Sequence, residues 1–234
     1  MLSDGELLHN MNQRAKSWNA VNDRRAVFLE CYSLMTANML QTINDGQFND
    51  GAWAKQLLHR FADYYFEALD QYDREAAGCT AVWRFAHDCA CKEQHHILQD
   101  LLLGINAHIN YDLVLSLVEL LEPEWPSLSE MDRQRRYEDH CRVNEVIAAT
   151  IDTVQDTVIE RHAPLMDLID RIFGRLDERL LSALISRWRE DVWHKTVSYL
   201  DAPVKEREVL RRELEQSTMQ RARRLVFKPA VDSQ

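Results

Sequence analysis

The stretch KEQHHILQDLLLGINAHINYDLVLSLVELL, residues 92–121, decides the fold of this chain. It is the most apolar part of the sequence, and we interpret it as one long helix at the centre of the structure. Pro123 and Pro126 break the chain directly after it, because proline cannot continue a helix. Segments on both sides carry apolar residues at helical spacing, which predicts further helices around this one.

The composition favours the same all-α fold. The 234 residues include only 6 glycines and 5 prolines, the residues that supply the turns of small β-proteins. Their scarcity argues against a β-sandwich, a barrel and an α/β fold built on glycine-rich loops. A hydrophobic fraction of 46% argues against a disordered chain. We predict a single all-α domain over residues 1–224, a bundle of about seven to eight helices, with a flexible tail over residues 225–234.

Breakers and capping residues set the boundaries of the predicted helices. We place them, in chain order, at about residues 14–43, 51–72, 80–90, 92–121, 129–161, 164–173, 176–200 and 203–224. No internal repeat or low-complexity linker divides the sequence, which favours one domain.

Several classes of protein are disfavoured by the sequence. It lacks a basic start followed by an apolar stretch, so no signal peptide is predicted, and it lacks a run of about 18 apolar residues that would predict a membrane span. Its five cysteines include no C-x-x-C pair, and we interpret them as reduced thiols of a cytoplasmic protein. The net charge of -10 argues against nucleic acid as a partner. The oligomeric state is not determined by the sequence.

Polar residues interrupt the apolar helix at Asn106, His108, Asn110 and Asp112. His108 and Asp112 are four residues apart, so they share one helix face that is otherwise apolar. A buried carboxylate is costly unless it is paired or bound to a metal. Gly104 lies one turn before His108 and leaves a gap where another backbone or a ligand could approach.

Two interpretations of this segment stay open. In the structural one, Asp112 fixes His108 or caps a neighbouring helix. In the functional one, the H-x-x-x-D spacing directs two ligand types at one point and forms a metal or catalytic site. The functional interpretation gives catalytic roles to His108, Asp112 and Asn110 and a substrate-binding role to Asn106.

Arg187 is a further candidate. An arginine that faces a buried Asp112 would satisfy it through a bidentate ion pair, and it could equally bind the phosphate or carboxylate of a substrate. The alternative is a ladder of exposed ion pairs along its helix. Asn144 is a second substrate-binding candidate that could line the same cavity.

The run LLLGINAHINYDL, residues 101–113, resembles an uncharacterised, all-helical bacterial family with a G-x-N-A-H-I-N-x-D-L signature. Phe61, Tyr65, Arg187 and Trp193 belong to the same resemblance, which covers about residues 18–200. It brings no established activity with it.

The segment from Leu103 to Asp112 is also similar to the L-G-x-x-x-H-x-x-x-D segment of zinc-dependent phospholipase C and P1-type nucleases. That resemblance implies zinc ligation by His108 and Asp112, with His140 and Asn144 in place of a later His and carboxylate pair. The chain departs from the pattern where Val118 replaces an expected His and Asn144 replaces the carboxylate. A complete trinuclear zinc site is therefore not expected.

Two functional hypotheses follow. The first is a metal-assisted phosphoester hydrolase, or a degenerate relative, in which His108, Asp112 and His140 hold a divalent metal such as zinc and a metal-bound water is the nucleophile. The second is a non-catalytic helical protein that binds a small amphipathic ligand or a protein partner.

Overall fold

The computed structural model describes residues 2–92, 96–154 and 178–226. These ranges contain eight helices and no strand, which confirms the predicted all-α class. The helices are α1 (Asp4–Asn19), α2 (Arg25–Asn44), α3 (Gly51–Asp73), α4 (Ala81–Ala90), α5 (Ile97–Leu121), α6 (Glu130–Val154), α7 (Glu178–Asp201) and α8 (Val204–Leu225).

The first predicted helix, residues 14–43, is wrong in its extent, because two helices occupy this part of the chain. The first one begins at Asp4, where the Ser3 hydroxyl and the Glu6 carboxylate form a capping box. It ends before a turn in which Asn22 has a φ of 57°. Asparagine tolerates this left-handed conformation better than most residues, so the chain reverses there without a glycine or a proline.

Some of the predicted segments lie outside the residues that the structure describes, entirely or in part. They include the predicted helix at 164–173 and residues 227–234 of the predicted tail. The helix α8 ends at Leu225, close to the predicted end near residue 224. The single-domain assignment stays a prediction.

The apolar helix α5 is central, as predicted. It packs against α2, α3, α4, α7 and α8. Its leucines Leu103, Leu113, Leu117 and Leu121 are among the most buried side chains of the described core. Burial of one such side chain contributes about 1.5–3 kcal/mol, so this row fixes the position of α5.

By length and composition alone, α5 is also apolar enough to cross a membrane. However, 78% of its most apolar window is buried inside the protein, as is usual for the core helix of a soluble fold. The prediction of no membrane span fits this finding.

Candidate functional site

The centre of α5 contains a π-helical turn, His108–Asp112, between two α-helical halves. The hydrogen bonds of a π-turn span five residues, whereas those of an α-helix span four, and such turns occur frequently at functional sites. The turn coincides with the polar residues that the sequence singles out. The structure therefore places an irregular backbone where the sequence predicts a site.

His108 and Asp112 form a buried pair on this turn. The Nδ1 atom of His108 lies 3.0 Å from Oδ2 of Asp112. The indole Nε1 of Trp83, on α4, donates a hydrogen bond to the same carboxyl oxygen at 2.8 Å. His108 is 3% exposed and Asp112 is 2% exposed. Direct contact of these two residues, one of the alternatives that the sequence left open, is present, and Trp83 is a partner that sequence reasoning missed.

Burial shifts the pKa values of both residues of the pair. It lowers the pKa of His108 well below the ordinary value and raises the pKa of Asp112 well above it, although the Trp83 hydrogen bond works in the opposite direction on Asp112. Both shifts disfavour a net charge. Burial therefore favours the uncharged forms of both side chains.

Aromatic rings enclose His108. The Phe61 ring is stacked on the imidazole with centroids 3.5 Å apart and planes 9° apart, and the Tyr32 ring meets it edge-on at 4.4 Å. The rings of Phe28, Tyr65 and Trp83 lie at 5.8, 6.0 and 6.1 Å. We call these five rings the aromatic box. Inside it, His108 Nε2 has no hydrogen-bond partner among the described residues.

Gly104 allows one wall of the box to form. A Cβ atom at this position would lie 2.5 Å from Cδ2 and 2.6 Å from Cγ of Phe28. Such distances are far below van der Waals contact, so only glycine lets the Phe28 ring lie against α5. The gap that the sequence predicts is therefore present, and a side chain from α2 fills it.

Asn106 and Asn110 bond to α8 and to each other. Nδ2 of Asn110 donates to Oδ1 of Asn106 at 3.1 Å, and Nδ2 of Asn106 donates to the Thr218 carbonyl at 3.2 Å. The Thr218 hydroxyl shares its one proton between the Asn110 carbonyl at 3.2 Å and the Leu214 carbonyl of its own helix at 2.8 Å. The Arg221 guanidinium donates to Oδ1 of Asn110.

No hydrogen bond joins either amide to His108 or Asp112 in the described part of the chain. The predicted catalytic role of Asn110 and the substrate-binding role of Asn106 therefore gain no support from the geometry. Both amides hold α8 against the π-turn.

His140 and Asn144 belong to a different cluster, between α6 and α7. Their common partner is Arg189, whose Nε donates to Oδ1 of Asn144 at 2.8 Å and whose Nη2 donates to the His140 carbonyl at 2.6 Å. Arg187, the predicted candidate, is exposed. The role of satisfying Asp112 that we considered for Arg187 belongs to Trp83.

The helical spacing of the apolar residues around Arg189 could have identified it as an inward-facing residue. Ile185, Trp188, Val192 and Trp193 are buried, so Arg189 lies on the inward side of α7, whereas Arg187 does not. Sequence reasoning considered Arg187 alone, and the burial pattern of α7 shows that Arg189 is the arginine that faces inward.

A metal site would need more ligands than this geometry supplies. Within residues 2–92, 96–154 and 178–226, no group of three or more His, Cys, Asp or Glu side chains is close enough to hold an ion. The bonds of the pair engage Nδ1 of His108 and Oδ2 of Asp112, and His140 donates Nε2–H to the Arg189 carbonyl at 2.9 Å. The residues present do not fit the zinc centre that the phospholipase resemblance implies.

A narrow cleft of about 20 Å³ lies on the other side of the box, where its floor is formed by Phe28, Tyr65 and Trp83. Four of its other lining residues are polar or charged: Arg24, Arg25, His87 and Asp100. Asp100 is 5% exposed, and neither of its carboxyl oxygens has a hydrogen-bond partner in the described chain. Burial raises the pKa of Asp100 to about 7, and the nearby Arg24 guanidinium, 3.8 Å away, opposes this shift.

We expect Asp100 to make the stability of the protein depend on pH. Its folded-state pKa of about 7 lies above the unfolded value of about 4, so the folded state binds more protons between these limits and stability falls as pH rises through this window. From pH 5 to pH 7 the wild-type chain should lose about 2 kcal/mol of unfolding free energy relative to Asp100→Asn, measured by urea denaturation.

The Asp100→Asn variant is the control, because asparagine imitates the protonated carboxyl and does not titrate. The buried histidines act in the opposite direction in both chains, for example His87, whose pKa burial lowers to about 3. Their contribution cancels in the comparison. Parallel pH profiles of the two chains would show that Asp100 titrates as an ordinary carboxyl.

Comparison with known proteins places this all-helical chain in a family. Its sequence belongs to the family of unknown function DUF5995, whose model matches residues 5–228. No curated protein and no solved structure matches the chain. Function must therefore be argued from the His108 pair and its surroundings.

Proposed function

We propose that this protein binds a small amphipathic ligand at the His108–Asp112 pair. The observation that carries the proposal is the unpartnered Nε2 of His108, because a buried polar atom is costly unless it has a hydrogen-bond partner. Two hydroxyls of the same box, those of Tyr32 and Tyr65, also lack a hydrogen-bond partner in the described chain, so a ligand that enters the box finds Nε2 together with these two polar atoms.

Counting protons identifies the group that this atom recognises. A neutral pair holds two titratable protons. We assign the carboxyl proton to the bond between Oδ2 and Nδ1, which leaves the ring proton of the imidazole on Nε2. Nε2–H is therefore a donor, and the ligand must present an accepting oxygen such as a carbonyl.

The aromatic box indicates that the part of the ligand next to the accepting oxygen is apolar and flat. Its walls are aromatic, and Phe61 already shows that a flat ring fits against the face of His108. Phe61 is partly exposed, whereas Phe28, Tyr32, Tyr65 and Trp83 are buried. Rotation of Phe61 is the shortest route by which an aromatic ligand would replace its ring.

A matched pair of probes tests this proposal. Acetophenone and α-methylstyrene share one shape, and only the first has a carbonyl oxygen. The Phe61→Ala substitution opens the stacking position. We expect this variant to bind acetophenone about tenfold more tightly than α-methylstyrene, as one hydrogen bond would predict. Ring-nitrogen NMR of ¹⁵N-histidine-labelled protein reports the binding, and in the wild-type chain acetophenone should shift the His108 Nε2 signal.

Two double variants supply the controls. Phe61→Ala with His108→Leu should lose the preference for acetophenone. Phe61→Ala with His87→Leu should keep it, although His87 is also buried and also has an unpartnered Nε2. Equal binding of the two probes to Phe61→Ala, or an unchanged His108 signal in the wild-type chain, would overturn the proposal.

Acid–base catalysis is the second candidate, favoured by the 3.0 Å contact that orients the imidazole. Metal-assisted phosphoester hydrolysis is the specific form that the zinc phospholipase resemblance implies. The described ligand set gives it no support, so it stays a prediction. One equivalent of zinc retained by purified wild-type protein and lost from His108→Leu would replace the ligand-binding proposal by this one.

A further inference from the structure

Arg189 is a buried cation with no counter-charge among the residues that the structure describes. It is 4% exposed and lies between α6 and α7. No described carboxylate lies within ion-pair distance of its guanidinium. The two carboxylates that follow it in sequence contact other groups, because Glu190 accepts from Tyr137 and pairs with His194, and Asp191 pairs with Arg221.

The partners that Arg189 does have are all neutral. They are Oδ1 of Asn144, the carbonyl of His140 and, at 3.4 Å, Nδ1 of His140. A carbonyl only accepts, so His140 Nε2, which lies 2.9 Å from the Arg189 carbonyl, must hold the ring proton. Nδ1 is then an acceptor, and the imidazole carries no charge.

The bonds of Arg189 leave one end of the guanidinium open. Nε and Nη2 donate to the three neutral acceptors, whereas Nη1 makes no hydrogen bond within the described chain. Burial lowers the pKa of Arg189 to about 10, so the group is still a cation at neutral pH. Removing a cation from water without an anion is costly, and neutral hydrogen bonds repay only part of that cost.

We propose that Arg189, oriented by His140 and Asn144, is the centre of a binding site for an oxyanion, a phosphate or carboxylate group that Nη1 contacts. An arginine in this setting is suited to such a group because its donors lie in one rigid plane. The site is independent of the His108 pair and of the ligand proposed there.

Inorganic phosphate is the first probe. We expect the unfolding temperature of the wild-type chain to rise by about 3 °C or more in about 50 mM phosphate, compared with chloride at equal ionic strength, because a ligand that binds only the folded state stabilises it. Arg189→Met should show no specific rise. Arg187→Met, an exposed arginine two residues earlier on the same helix, should respond as the wild type does.

Phosphate also stabilises folded proteins in general, and the Arg189→Met chain measures that part. A second readout needs no variant: phosphate should shift the slowly exchanging guanidinium NMR signal of the buried arginine in the wild-type chain. Acetate, as a carboxylate probe, then distinguishes the two kinds of oxyanion. A response to phosphate alone assigns a phosphate site, and a response to both phosphate and acetate assigns a site for oxyanions in general. An unmoved guanidinium signal, or an equal temperature rise in wild type and Arg189→Met, would overturn the proposal.

Discussion

Gly104→Ala is expected to lower the free energy of unfolding by about 3 kcal/mol, although alanine is the better helix former by about 1 kcal/mol. The added Cβ would lie 2.5 Å from Cδ2 and 2.6 Å from Cγ of Phe28. The Phe28 ring cannot retreat freely, because it also packs against Tyr65 and Trp83 at centroid distances of 5.4 and 5.6 Å. Chemical denaturation followed by circular dichroism measures the loss.

Two controls separate steric conflict from a general effect of alanine. Gly5, on α1, has no atom within 4 Å of an added Cβ, so Gly5→Ala should be neutral or slightly stabilising. In a Phe28→Ala background the conflict is absent, and Gly104→Ala should then gain about 1 kcal/mol from helix propensity. A loss of the same size in both backgrounds would show that Phe28 is not the reason for the glycine.

Asp112→Ala is expected to cost about 3–5 kcal/mol, because it leaves the Trp83 indole N–H and the His108 ring without their buried partner. Asp112→Asn should cost about 1 kcal/mol or less, since the amide oxygen in the place of Oδ2 can accept both from Trp83 and from a proton moved to Nδ1 of His108. Equilibrium denaturation near pH 7 gives both values.

The contrast between these variants tests the charge of the pair. If the carboxyl were ionised in the folded protein, asparagine would be a poor substitute and would cost nearly as much as alanine. Asp70→Ala is the matched control on the surface, where Asp70 pairs with Arg74 and both side chains are more than half exposed. It should change stability by less than about 0.5 kcal/mol.

The candidate site shows which of its contacts can be predicted from spacing along one helix and which cannot. Spacing alone places His108 and Asp112 on one face and predicts that they meet. It cannot identify Trp83, because that residue lies 29 positions from Asp112 and approaches it only when α4 packs on α5. The same limit applies to the box, whose rings come from α2, α3 and α4, and to Arg189, whose partners lie on another helix.

Asn106 and Asn110 illustrate the opposite error. Their place in a polar run favoured a role beside His108, but successive residues of a helix face different directions, and these two face α8. The π-turn is also invisible to a periodicity argument that assumes 3.6 residues per turn. A hydrogen bond from Thr218 to the Asn110 carbonyl accompanies that turn, and it exists only because α8 docks there.

The fold class, the central position of α5 and the shared helix face of His108 and Asp112 follow from the amino-acid sequence alone. Each of these depends on composition or on spacing along one helix, which local geometry controls. The tertiary structure decided the partner of the carboxyl, the aromatic box, the filling of the Gly104 gap and the choice of Arg189 over Arg187. These depend on contacts between distant segments, because side chains remote in the chain become neighbours only when apolar burial brings their helices together.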